Sequence, residues 1–198
     1  MNSSENEIYK KIESKIPDDL TSLPQWVTWS GTIGAKGKIG KIPIDPKSGK
    51  HAKSNDPATW ASFDKALSFC RKQGLPGVGF MFSENDDFAG IDIDHCIDPG
   101  TGVIDDKAKK MVDRLNSYSE ISPSGQGLHI FVKGRLPEGK NRNGNVEMYD
   151  RKRFFTVTGD ILDHVPCAIM ARQPELLELY NELLSPPAEA VKKPKSTI

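Results

Sequence analysis

Apolar and polar positions follow two periods along this chain, and the clearest is the period of two. In Phe88-Ala89-Gly90-Ile91-Asp92-Ile93-Asp94-His95, isoleucine and aspartate alternate strictly from Ile91 to Asp94. That pattern predicts a β-strand with Ile91 and Ile93 toward the core and both acids on the other face. Further strands are predicted at Trp26 to Trp29, Lys41 to Asp45, Val78 to Phe82, Tyr118 to Ile121, Leu128 to Lys133, Val146 to Tyr149 and Phe154 to Thr158. The run 78–82, the Glu84-Asn85-Asp86-Asp87 turn and the acidic strand read as a hairpin with the acids on its second arm. Phe154 to Thr158 is expected to complete the sheet.

Helical spacing appears three times. Asp56-Pro57 supplies an N-cap and a first-turn proline for a helix carrying Trp60, Phe63, Leu67 and Cys70 and ending at Gly74. A second helix, about 105–116, places Ala108, Met111, Val112 and Leu115 on one stripe, and a third, about 174–184, buries Leu176, Leu177, Tyr180, Leu183 and Leu184. Residues 1–20 are polar enough to read as a short helix or a loose arm. The Pro/Lys-rich stretch 185–198 reads as a linker or tail, so that one domain spans 21–184.

Charge and cysteine usage narrow the classes. The 27 basic and 27 acidic residues among 198 cancel, so any nucleic-acid surface has to be local. Cys70, Cys96 and Cys167 are odd in number and form no Cys-x-x-Cys pattern, which favours a reducing cytoplasm over a disulfide scaffold. Neither a signal peptide nor a membrane-length apolar run is visible, and the expectation is a soluble cytoplasmic protein without a membrane partner.

Chemistry enters with the acids. Asp92 and Asp94 side by side on one strand repel unless a cation lies between them, which suits Mg²⁺ or Mn²⁺; the alternative is a solvated acidic pair on an edge strand. Ser122-Pro123-Ser124-Gly125-Gln126-Gly127-Leu128-His129 is a loop whose backbone N–H groups and hydroxyls suit a phosphate, and His129 alternates away from Leu128 and Ile130. An ordinary glycine turn and a satisfied histidine are the plainer reading. Glu147 shares a strand face with Tyr149 and is the natural third carboxylate for a two-metal site. Asp150 competes for that role but falls at a turn. Arg153, on the next strand, is placed to neutralise phosphate charge or to be a solvated rim residue.

Asp92-x-Asp94, then Ser122-Pro123-Ser124-Gly125-x-Gly127-Leu128-His129, then Val146-Glu147-Met148-Tyr149 followed by Arg153-Phe154-Phe155-Thr156-Val157-Thr158-Gly159, resembles the three-motif order of the archaeo-eukaryotic primase superfamily. The nearest resemblance is to the primase-polymerase domain of bacterial viruses and mobile elements, including the deep-sea vent phage type, over about Trp26 to Tyr180. Lys41-x-Pro43-x-Asp45-Pro46-x-x-Gly49 and Asn55-Asp56-Pro57-x-Thr59-Trp60 upstream are similar too. The resemblance implies an α+β fold, with an RNA-recognition-motif-like catalytic sheet and an additional α/β unit. It implies template-directed nucleotidyl transfer in DNA replication, with Mg²⁺ or Mn²⁺ held by Asp92, Asp94 and Glu147. By position, His129 matches a nucleotide-contacting histidine, and Ser122, Ser124, Lys133, Arg153 and Lys41 become triphosphate contacts. Glu147 stands where many relatives carry aspartate.

The implied partners are DNA template and primer, dNTPs, and a helicase domain or partner downstream, in a bacterial, phage or plasmid replication context. A chain lacking such downstream segments is expected to extend primers but not to start them. Two other classes stay open. A single-stranded nucleic-acid-binding module would stack bases on Tyr149 or Phe155 and does not need three converging acids. A metal-dependent nuclease would use the same carboxylates with water as nucleophile. The rolling-circle type needs His-x-His, which His129-Ile130-Phe131 lacks.

Overall fold

The helices are α1 (Ser3–Lys15), α2 (Asp18–Thr21), α3 (Phe63–Gln73), α4 (Asp106–Leu115) and α5 (Gln173–Leu183). The strands are β1 (Trp26–Ile33), β2 (Ile39–Ile44), β3 (Gly77–Phe82), β4 (Phe88–Ile93), β5 (Ser119–Ile121), β6 (Leu128–Lys133), β7 (Arg142–Asn143), β8 (Val146–Tyr149) and β9 (Arg153–Val157). The computed structural model describes residues 3–33 and 39–185. The predicted tail at 185–198 lies outside the described residues except at Ser185.

The fold is α+β, built on two antiparallel sheets rather than one. The first has the order β2-β1-β3-β9 and the second β5-β6-β4-β8-β7. The hairpin expected from 78–94 does not form. β3 pairs with β1 and β9, whereas β4 pairs with β6 and β8. The turn between them sends the chain from one sheet to the other. The Asp86 carboxylate holds it, accepting from Ser83 N–H (3.1 Å), Phe88 N–H (2.8 Å) and the Gln25 side chain (2.6 Å). β9 likewise completes the first sheet while β8 stays in the second. Sequence alternation gives a strand's faces but not its partner, because pairing is a long-range choice.

Alternation does set the layers. Ile91, Ile93, Leu128, Ile130, Val132, Val146 and Met148 form the apolar face of the second sheet, packed against Met111 and Leu115 of α4 and Leu176 and Leu179 of α5. Phe88 and Phe131, on its opposite face, join Trp26, Phe80, Phe82 and Phe155 of the first sheet. Ring pairs such as Phe80–Phe88 (6.0 Å) and Phe82–Phe131 (5.8 Å) bridge the two sheets. Gly90 lets them approach, since a Cβ there would lie 2.4 Å from the Phe82 ring and 2.6 Å from that of Phe155.

Of the two readings of 1–20 the helix holds, and the start of α3 is corrected. The segment 1–20 is not a loose arm over its described part: Tyr9, Ile12, Ile16 and Leu20 are buried, and the Tyr9 hydroxyl donates to the Leu75 carbonyl at 2.8 Å. Tyr9 and Ile12 lie one turn apart on α1 with Ile16 just past its end, and the lysines and Glu13 between them hide the stripe in the composition. Asp56 caps only the short 3₁₀ turn Pro57–Thr59, and α3 starts at Phe63 with Ser62 as its N-cap. Trp60 therefore leaves the helical stripe and packs with Val27, Ala52 and Met81. Gly74, at φ +63°, ends α3 as expected. Among the described residues no helix is long and apolar enough to cross a membrane.

Candidate active site

Strand register in the second sheet lines up five polar side chains. Glu120 on β5 lies opposite His129 on β6, His129 opposite Asp92 on β4, Asp92 opposite Glu147 on β8, and Glu147 opposite Arg142 on β7. Directly opposed residues share a face. The row Glu120–His129–Asp92–Glu147–Arg142 thus crosses all five strands on the face turned to the first sheet. Above it lies a cleft of about 660 Å³, closed from the other side by Trp29, Lys41, Arg153, Phe155 and Thr156.

Asp92 stands at the centre of the row. Burial holds its carboxyl above the ordinary range, and the neighbouring charges of Asp94 and Glu147 add to this, while His129 and Lys41 act against it. Asp94 sits one residue past the end of β4 and stays in line because its N–H donates to the Asn145 carbonyl (2.8 Å) and the Asn145 amide donates back to its own carbonyl (2.8 Å). His129 Nε2 lies 3.8 Å from an Asp92 oxygen. Its Nδ1 lies 3.4 Å from Glu120.

Glu147 faces the site as strand alternation requires, yet both its oxygens are engaged, with Arg142 at 2.9 Å and Arg153 at 2.8 Å. Asp150 does not compete for the role. It is buried away from the cleft lining, accepts from Leu136 N–H at 3.0 Å and pairs with Arg151 at 2.9 Å. Hard oxygen donors on one face suit a hard divalent cation. Among the described residues, however, no three Asp, Glu, His or Cys side chains are drawn together as a metal cage. Asp92 and Asp94 could hold such an ion, whereas both oxygens of Glu147 are paired with arginines.

The remaining predicted residues divide. Ser122 and Ser124 line the cleft with their hydroxyl oxygens 3.0 Å apart, and the loop reaches β4 because Gly127 has no Cβ, which would lie 2.9 Å from the Ile93 carbonyl. Lys41 enters from β2 and donates to Thr156 Oγ1 at 3.4 Å. Burial lowers its pKa, with Asp92, Asp94 and Glu120 pulling the other way. Arg153 lies over the Tyr149 ring at 4.7 Å. Lys133 is not in the cleft. It shares a face with His129 but sits four residues along β6, opposite Phe88, where it pairs with Asp19 at 2.8 Å. At about 3.3 Å per residue that is some ~13 Å from the row.

Sequence reasoning missed Arg142, Trp29, His95, Thr156 and Glu120. Arg142 lies on a two-residue strand too short to show a period. Glu120 alternated with Ser119 and Ile121 and was visible as an acid in a strand, but nothing local says that this strand pairs with that of His129.

Over 150 residues the chain is 37% identical to the DNA primase-polymerase of Nitratiruptor phage NrS-1, in an alignment covering 73% of this chain and 20% of that protein. The chain is primase-polymerase-like. The motif order read from Asp92-x-Asp94, the Ser122–His129 loop and the Glu147 strand agrees with that relationship. The chain spans about a fifth of the length of the phage primase-polymerase. No protein-family model matches it.

Proposed function

We propose that this chain is a nucleotidyltransferase catalytic domain that adds dNTPs to a primer 3′-hydroxyl on a DNA template. The observation that carries the reading is the row His129–Asp92–Glu147 beneath a cleft whose opposite wall supplies Lys41 and Arg153. Acids on one wall and cations on the other suit a metal-bound triphosphate. A binding module would not require this opposition.

Asp92 and Asp94, joined by Glu147, would hold Mg²⁺ or Mn²⁺, which lowers the pKa of an attacking hydroxyl and offsets charge on the α-phosphate and leaving pyrophosphate. The protein's own part is positioning. Ser122 and Ser124 offer hydroxyls, and Lys41, Arg142, Arg153 and His129 offer cationic or N–H donors to phosphate oxygens. Triphosphate oxygens compete with Glu147 for Arg142 and Arg153, so nucleotide arrival is also what releases the third carboxylate.

The second sheet, read as an RNA-recognition-motif-like core, has support in its order. The succession β4, α4, β5, β6 and then β8 gives the spatial order β5-β6-β4-β8, that of a split β-α-β sheet, with α5 on the same apolar face as α4. The first sheet with α1 and α3 would be the additional α/β unit.

Incubation with Mg²⁺ or Mn²⁺, dNTPs and single-stranded DNA, primed or unprimed, tests the function. Extension of the primer is the expected result, and product from unprimed template would place initiation in this chain too. Nucleic-acid binding with no incorporation on either template would overturn the proposal in favour of a binding module. Degradation of the primer instead would favour a nuclease.

A further inference from the structure

Glu120 is the one member of the cross-sheet row that the cleft does not expose. Its side chain is wholly buried, and it does not line the cavity. A buried carboxylate is costly unless its oxygens are satisfied, and these are. Oε2 accepts from the Tyr118 hydroxyl at 2.8 Å and Gly159 N–H at 2.9 Å, and Oε1 from Thr158 N–H at 3.0 Å. The remaining contact is His129 Nδ1, 3.4 Å from Oε1. Tyr118 and the two peptide groups anchor the carboxylate from outside the row. The imidazole is the neighbour that reaches the cleft.

We infer that Glu120 is a positioning residue for His129, anchoring the ring through Nδ1 so that its Nε2 edge faces the incoming nucleotide. An ionised carboxylate only accepts, so the Nδ1 contact requires the proton on Nδ1, and Nε2 donates to a phosphate oxygen only when it carries a second proton. Nε2 is then left toward Asp92 and the cleft. Phe155 backs the ring at 5.2 Å between centroids, so the ring is packed on one side and hydrogen-bonded at one end. Ligand histidines in metal sites are oriented by such carboxylates, and the same anchoring would orient a ring that meets a nucleotide. The Thr158–Gly159 turn holds the carboxylate from the first sheet's last strand, so the hold on His129 also ties the two sheets together at the site. The inference rests on the proposed nucleotide cleft for its functional consequence and on the Glu120–His129 geometry alone for the tautomer.

The test has two readouts. Ring ¹⁵N NMR of histidine-labelled protein should show His129 with a proton on Nδ1 in the wild type and mixed tautomers in Glu120→Gln. Primer-extension kinetics should show Glu120→Gln raising the dNTP KM roughly tenfold with a smaller change in kcat, the scale of one charge-assisted hydrogen bond. In a His129→Ala background, Glu120→Gln should add less than about twofold, since it acts through the ring. Multiplicative effects of the two substitutions would mark Glu120 as a purely structural carboxylate and overturn the inference. So would a neutral wild-type ring protonated on Nε2, a measurement that needs no folded variant. Unchanged dNTP kinetics in His129→Ala would instead overturn the nucleotide-contact reading of the cleft, and the ring spectrum would still decide whether Glu120 sets the tautomer.

Discussion

At Asp92 stability and chemistry oppose each other. Its carboxyl is held above the ordinary range by burial, with the charges of Asp94 and Glu147 adding to this. Such a group supports the fold while protonated, and its contribution is lost as pH rises through the raised pKa. Asp92→Asn should therefore gain thermal stability relative to the wild type as pH rises above about 4, the ordinary carboxylate value. Nucleotide incorporation should fall by on the order of 10²-fold or more, as when a transition-state charge stabiliser is removed. Thermal melts across that pH range, paired with primer extension, check both; a variant that melts lower at neutral pH would mean the acid is structural. Glu147 and Asp150 separate the same way. Glu147→Gln should match the Asp92 defect. Burial pushes the Asp150 carboxyl up, but Arg151, the Leu136 N–H and Arg135 outweigh it and leave the pKa lowered, so its support is lost as pH falls. Asp150→Asn should cost about 1–3 kcal/mol by chemical denaturation while leaving dNTP kinetics near normal. The sequence showed which face Glu147 takes and that Asp150 falls at a turn. It did not show the two arginines on Glu147, because Arg142 reaches it from a strand that exists only through pairing.

Element by element, the strands were legible because each carries its own alternation, and their assembly was not. Nothing between Phe82 and Phe88 distinguishes a hairpin from a crossing between sheets except the Asp86 side chain tying down Gln25 far upstream. Gly90 shows what that crossing requires. Between Ala89 and Ile91 it reads as a weak point in a strand, yet it is where Phe82 and Phe155 press onto β4 from the first sheet. Gly90→Ala should destabilise the protein by about 1–3 kcal/mol through overpacking. Because Phe155 also backs His129, the same change should raise the dNTP KM even where the variant remains folded. Equilibrium unfolding and primer extension on the one variant test the pair, and a Gly90→Ala protein as stable as the wild type would mean the sheets do not pack this closely.

Across the whole molecule, charge neutrality would make any template binding a local matter. Lys36 and Lys38 lie outside the described residues. Arg151 is engaged by Asp150 at 2.9 Å and Lys152 by Glu84 at 3.2 Å. Lys41, Arg142 and Arg153 line the cleft, and two of these already hold Glu147. Few cations in the cleft would thus be available for the DNA backbone, so binding there would release few counterions. With about three phosphate contacts, the slope of log affinity against log salt for a primer–template duplex should be about −2 to −3. Raising monovalent salt from about 50 to about 200 mM should then weaken binding by roughly 20- to 60-fold, far less than a broad basic surface would show. Fluorescence anisotropy of a labelled primer–template over that range measures the slope. A value near zero would remove the cleft cations from template contact, and one steeper than about −6 would require a basic surface elsewhere on the chain. Lys41→Ala should flatten the slope by about one unit if that lysine meets a phosphate, and leave it unchanged if its place in the cleft is only to balance Asp92 and Asp94.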